Sequence, residues 1–217
     1  MEQPHNEHLP VELSSQLVTI MTTEHYNLQT GRSMTVAESN GRSSLFVGAV
    51  SSGLIALAFV GQLSHLGTTF YVFSLVVIPT LLFMGLITFE RVLQSGSADF
   101  MYAIGINRIR HLYLEYAPQM QPYILLTPHD EREETLSRDA MHLTWRQVFL
   151  TTAGMIAVIN SVLAGSFVGL LFTAFILPLW AATSAGAVTF FVSVALHQRY
   201  QWRQWMHVKR LFPSQPG

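Results

Sequence analysis

Residues 43–89 read SSLFVGAVSSGLIALAFVGQLSHLGTTFYVFSLVVIPTLLFMGLITF, and none of these 47 positions is Asp, Glu, Lys or Arg. A second stretch, residues 147–198, is free of those residues for 52 positions. A helix rises about 1.5 Å per residue and the hydrocarbon core of a bilayer is about 30 Å thick, so one crossing takes roughly 20 apolar residues. Each stretch is too long for one crossing and the right length for two. The first divides into spans one (43–63) and two (68–89), around Gly61-Gln62-Leu63-Ser64-His65-Leu66-Gly67, whose two glycines and polar centre read as a hairpin turn. The second divides into spans three (about 147–169) and four (about 176–198). Its junction is weakly marked, because 169–178 stays apolar, and Pro178 suits the first turn of span four, where its missing N–H costs little.

Working outward, the whole chain of 217 residues is 12% charged, about half the roughly 25% of soluble domains. Its charges all lie outside the two neutral stretches, which excludes an ordinary water-soluble globule. The twelve basic residues fall in 1–42 (Arg32, Arg42), in 90–146 (Arg91, Arg108, Arg110, Arg132, Arg138, Arg146) and in 199–217 (Arg199, Arg203, Lys209, Arg210), and neither hairpin turn has one. The positive-inside rule therefore places both termini and the 90–146 loop in the cytoplasm. Aromatic residues suited to the interfaces agree: Tyr71 and Trp180 on the outer side, Trp145, Tyr200, Trp202 and Trp205 on the inner. The expected fold is all-α, a polytopic four-transmembrane-helix bundle with cytoplasmic N- and C-termini and a helical cytoplasmic loop. Eleven Arg against one Lys suggests a GC-rich, bacterial genome, hence a bacterial cytoplasmic membrane. Residues 1–42 lack a basic start leading into a short apolar run, so no cleavable signal peptide is expected.

Lipid offers helices no hydrophobic drive to associate, so close approach depends on small residues repeating every four positions. Span three has Ala153, Ala157, Ser161, Gly165 and Gly169; span one has Ser44, Gly48, Ser52 and Ala56; span four has Ala181, Ala185, Thr189 and Ser193. These ladders are the expected packing faces, within one chain or between copies. Arg42 to Gly61 and Arg146 to Gly165 share a 19-residue spacing, but the prolines of the following spans do not match, which weakens any internal duplication.

Proton-coupled transporters, voltage sensors and intramembrane hydrolases place ionisable groups at mid-depth. No Asp, Glu, Lys or Arg lies within a span here, which counts against all three. The polar residues at depth are Asn160 and Ser161, suited to a pore lining or a polar bundle centre, and Pro79 frees a backbone carbonyl or kinks span two. Glu90 and Arg91 stand where span two leaves the membrane, as a pore mouth or as the first solvated turn. His65 is the one histidine of the outer turns, the residue type suited to sensing pH. The remaining histidine neighbourhoods, His111 with Glu115, Asp139 with His142, and His129-Asp130-Glu131, reproduce no metal or catalytic spacing. No cysteine is present, and no serine-nucleophile or phosphate-binding motif, so neither an enzyme nor a cofactor is expected.

In the charged segments, 1–12 is acidic and polar, and 14–42 is helical by the spacing of Leu17, Met21 and Leu28, with interruptions expected at Gly31 and Gly41. Residues 97–116 form a helix stopped by Pro118, whose Tyr102, Ile106, Ile109, Tyr113 and Tyr116 make a short coiled-coil-like seam. Asp130-Glu131-Arg132-Glu133 resembles the start of another helix leading into span three. The tail mixes basic and aromatic residues, and Trp202, Arg203, Trp205, Lys209 and Arg210 are expected to hold anionic headgroups of membrane lipids. A net charge of -1 gives no reason to expect nucleic acid. Two functions are expected: first, a homo-oligomeric channel or small-solute pathway; second, a membrane-anchored regulatory or scaffolding protein acting through its cytoplasmic helices.

Overall fold

Two of the four long helices are more than twice the length a bilayer crossing requires. The computed structural model describes residues 15–124, 150–175 and 178–211, without the side chains of 209–211. Helix α1 is Ser15–Leu63 and α2 is Thr68–Tyr116, 49 residues each. At 1.5 Å per residue each is roughly 74 Å long. Helix α3 is Thr152–Ala174, α4 is Leu179–Leu211, and a short 3-10 helix, Pro118–Tyr123, follows α2. No strand occurs among the described residues. All four long helices are long and apolar enough to cross a membrane. Large apolar side chains such as Leu54, Ile55, Phe59, Val72, Val76 and Phe83 are exposed on their outer faces, an arrangement that lipid, and not water, accommodates. These are the features of a membrane-embedded, multi-pass protein.

Helices α1 and α2 pack along each other as a hairpin, α3 and α4 form a second, and α2 joins the two by packing along α3. The core of the bundle gathers Phe46, Val50 and Leu57 of α1, Ile78, Leu81 and Phe89 of α2, and Ile156, Ala157 and Leu163 of α3.

The first turn lies where the sequence places it, between Leu63 and Thr68, but its glycines do not supply the unusual backbone angles. The left-handed positions are His65 (φ 46) and Leu66 (φ 58). Leu66 N–H donates to the Gly61 carbonyl at 3.0 Å and His65 N–H to the Gln62 carbonyl at 3.4 Å. This is the Schellman end of a helix, with histidine in the position that glycine usually fills. Gly61 instead makes room: a Cβ there would lie 3.3 Å from Leu66 and from the Phe70 ring.

In the second hairpin, Thr151 caps α3 by accepting from Gly154 N–H at 3.0 Å, so the helix begins about five residues after the expected start at Gln147. Pro178 precedes α4 and its carbonyl accepts from Ala181 N–H at 2.9 Å, a role that needs no N–H of its own. Helix α3 runs to Ala174, past the expected end at 169, because nothing in the apolar run interrupts it.

The 14–42 segment, expected either to lie under the membrane or to run into span one, does the latter over its described residues, and the helix expected in the central loop is continuous with span two. Gly31 and Gly41 do not interrupt α1, and 97–116 is the second half of α2. Beyond the bundle the two helices form an antiparallel stalk. Tyr113 stacks on His25 with ring centroids 5.8 Å apart, Leu28 fills the space beside Gly105, and Tyr102 lies where a Cβ on Gly31 would fall, 2.8 Å away. An Arg32–Asp99 ion pair (Nε to Oδ1, 2.8 Å) closes its base. The absent side chains of the two glycines are what let the aromatic and aliphatic groups reach across, so a tertiary contact outweighs the roughly 1 kcal/mol that glycine costs a helix. Of the expected seam, Ile106 and Ile109 are buried, Tyr102 and Tyr113 half-buried, and Tyr116 exposed. The segment 1–12, the helix start at 130–133, Asp139 with His142, and Trp145 lie outside the described residues.

Candidate functional site

A polar seam runs through the bundle and out to its charged end, and Asn160 is its deepest member. Asn160 is 0% exposed, and neither its Oδ1 nor its Nδ2 has a hydrogen-bond partner. It faces α2, where a Cβ on Gly85 would collide with its Oδ1 and would lie 2.7 Å from Phe46 Cζ. Three helices thus meet at one point because one residue has no side chain. Ser161 turns the other way: its single hydroxyl proton goes to the Ala157 carbonyl at 2.7 Å, and its Oγ lies in hydrogen-bond reach of Ser193 Oγ of α4 at 3.0 Å. The two residues expected to line a passage together therefore serve different contacts, and the centre around them is filled: Ser161 and Ile156 are also 0% exposed.

Ser193 leads to His197, one turn along α4. His197 Nδ1 lies 2.8 Å from the Ser193 carbonyl oxygen and 3.4 Å from its Oγ. A carbonyl oxygen only accepts, so Nδ1 carries a proton. Nε2 is buried without a partner, and the ring rests edge-on against Phe89 at 4.9 Å between centroids.

At the charged end Glu90 faces α4, accepting from Tyr200 OH at 2.8 Å and from Gln94 Nε2 at 3.0 Å. Gln204 Nε2 donates in turn to Tyr200 OH at 3.0 Å. Arg91 is exposed and donates to Gln94 Oε1 at 3.4 Å. Within this chain Glu90 ties α2 to α4, whereas Arg91 is exposed and bonds only along its own helix. On the neighbouring face of α4, Gln201 is 1% exposed and donates to Thr151 Oγ1 at 3.1 Å. Sequence reasoning missed Gly85, Tyr200, His197 and Gln201. The one available signal was Gln198, Gln201 and Gln204 at three-residue spacing in an otherwise basic and aromatic tail.

Of the expected packing positions, Ala153, Ala157, Ser161 and Gly165 are buried and Gly169 half-buried. Gly165 faces Gly186 of α4 so closely that a Cβ on either would lie 2.7 or 2.8 Å from the other's carbonyl oxygen. Gly48 and Ser52 do not pack within the chain: both are exposed, and a Cβ on Gly48 would meet nothing within 4 Å. The packed face of α1 runs instead through Phe46, Val50, Gly53 and Leu57, a stripe rotated around the helix from the small residues. In the tail, α4 continues unbroken to Leu211, so the tail is not a separate segment. Trp202 and Arg203 are exposed, while Trp205 is half-buried with its ring 6.5 Å from Phe100. Lys209 and Arg210 belong to α4, and their side chains are outside the described set. His65 is exposed at the turn, and His111 pairs with Glu115 at 3.4 Å.

No protein-family model, curated protein or solved structure matches this chain.

Proposed function

We propose that this chain is a docking scaffold of a bacterial cytoplasmic membrane, with both termini cytoplasmic, acting through the stalk of α1 and α2. The observation that carries the reading is the continuity of those helices: about half of each lies beyond the length a membrane needs, and the surplus halves are paired to one another by Tyr113 on His25, Leu28 at Gly105 and Arg32 with Asp99. A mere anchor has no use for a paired stalk of roughly 40 Å. Basic residues beside the stalk support the cytoplasmic orientation. The basic and aromatic composition of Trp202, Arg203, Trp205, Lys209 and Arg210 supports anionic membrane lipids as partners at the end of α4.

The second reading, a homo-oligomeric channel or small-solute pathway, is favoured by the exposed small-residue face Ser44, Gly48 and Ser52 on α1, which is open to another copy. The filled centre around Asn160 weighs against a pathway through a single chain.

The two readings separate by experiment. With Ile20 and Met34, both exposed on the stalk, changed to Glu, the full-length protein should fold and insert normally yet lose the proteins it crosslinks in its native membrane. An unchanged set of crosslinked proteins, together with ion or solute flux in liposomes that Gly48→Leu abolishes, would favour the channel.

A further inference from the structure

Between α2 and α4, at the level where both helices pass from neutral to charged sequence, lies an open groove of about 620 Å³. Its wall changes character along its length. Inside the neutral runs it is lined by Leu86 and Leu196, both exposed, beside the buried Phe89. About one turn further along each helix it is lined by Glu90 and Tyr200, joined at 2.8 Å, and by Arg199 and Arg203. These two arginines are exposed, stand four positions apart on one face of α4, and have no carboxylate or other acceptor among the described residues. Like charges at that spacing repel, and an anion held between them replaces the repulsion with charge-assisted hydrogen bonds. Glu90 does not fill that role, because its Oε2 accepts from Tyr200 and its Oε1 from Gln94. A carboxylate offers about four lone-pair positions, so roughly two stay open to a donor in the groove.

We infer that this groove holds one zwitterionic phospholipid, its phosphate anionic and its headgroup a primary ammonium. The phosphate lies between Arg199 and Arg203, the ammonium donates to Glu90, and an acyl chain runs inward over Leu86 and Leu196. The match is one of charge and of depth: a groove with cations on one wall, an acceptor carboxylate on the other and an apolar inner end repeats the order of groups in such a lipid. A glycerol headgroup brings hydroxyl donors to Glu90 but no positive charge, and a choline headgroup brings the charge but no N–H to donate. Both should therefore bind more weakly. The inference deepens the lipid partnership proposed for the end of α4 and rests on that reading. It involves no residue of the stalk, so the docking reading does not depend on it.

Phosphatidylethanolamine, phosphatidylglycerol and phosphatidylcholine with identical acyl chains, offered in equal amounts to the full-length protein in detergent, test it by native mass spectrometry. One phosphatidylethanolamine per chain should be retained, about tenfold in preference to either of the others. Arg199→Gln with Arg203→Gln, both at exposed positions, should keep the helicity and lower that retention about tenfold. Glu90→Gln keeps an acceptor for Tyr200 and leaves the phosphate clamp, so it should erase the preference for ethanolamine while phosphatidylglycerol still binds. Lys209→Gln with Arg210→Gln, outside the groove, should leave the retained ethanolamine lipid in place and weaken only the looser association of phosphatidylglycerol. Equal retention of the three lipids, a preference for ethanolamine that survives Glu90→Gln, or retention indifferent to the Arg199 and Arg203 changes overturns the proposal. If phosphatidylglycerol is then still lost on changing Lys209 and Arg210, the groove has failed and the anionic-lipid reading of the tail stands; if it is not, both have failed.

Discussion

Gly85 is required by its neighbours and not by its own backbone. Any side chain there would displace Asn160 and the ring of Phe46, both fixed in a filled centre. Gly85→Ala should therefore destabilise the detergent-solubilised protein by about 1–3 kcal/mol. Adding Asn160→Ala should restore part of that loss, because it removes both the collision and a buried amide with no partner; denaturation of the two single variants and the double variant checks the coupling. His65 shows the opposite case, a side chain in a position that favours glycine. At φ 46 its Cβ crowds the backbone, and His65→Gly should raise stability by about 1 kcal/mol, read as a higher unfolding temperature. Asn160 was legible in the sequence because an amide stands out in an apolar run. Gly85 was not, because a glycine between methionine and leucine carries no mark of what will press against it.

The crossing of α3 and α4 is set by two glycines facing each other. Gly165→Ala or Gly186→Ala would put a methyl group against a backbone oxygen, and neither backbone can yield without separating the helices. Each change should cost about 1–3 kcal/mol and loosen the second hairpin, while Gly48→Ala, with open space around it, should leave the bundle unharmed or slightly firmer. Amide exchange along α4 would tell these apart. The spans themselves were readable, since charge is excluded from lipid by a cost large enough to leave uninterrupted neutral runs. The packing faces were readable in α3 and in part in α4, where Ala181, Ala185, Thr189 and Ser193 are half-buried and Ser193 meets Ser161. A repeat of four small residues marks a stripe on any helix, but whether that stripe is buried depends on where the bulky neighbours fall, and in α1 Phe46, Val50 and Leu57 claim a different stripe. Gly186 was overlooked because the ladder proposed for its helix ran through Ala185, one position away.

For the whole molecule, the stalk is the feature that sequence reading approached without reaching. Both of its halves were legible, as the spacing of Leu17, Met21 and Leu28 and as the seam from Tyr102 to Tyr116. Their pairing was not, since Gly31 reads as a helix break until Tyr102 is seen to occupy its open side. Because the chain has no cysteine, the pairing can be tested directly: Leu28→Cys with Gly105→Cys should join under a short bismaleimide in native membranes, and the exposed Gln29→Cys with Gly105→Cys should not. The stalk should also respond to acid. Burial, and then the nearby Arg110, hold His25 below its ordinary value of 6.5. The folded stalk prefers the neutral ring, so on acidification the unfolded chain takes up the proton first; stability is full above about 6.5 and falls as pH drops from there toward the folded-state value. Amides near His25 should lose protection as the pH falls below about 6.5, after correction for intrinsic exchange, and His25→Phe should flatten that dependence. Finally, α2 leaves the bundle without a break. Its 27 residues from Glu90 to Tyr116 make an arm of roughly 40 Å, so a tilt of only about 10° about the point where α2 leaves the bundle sweeps the far end through about 7 Å.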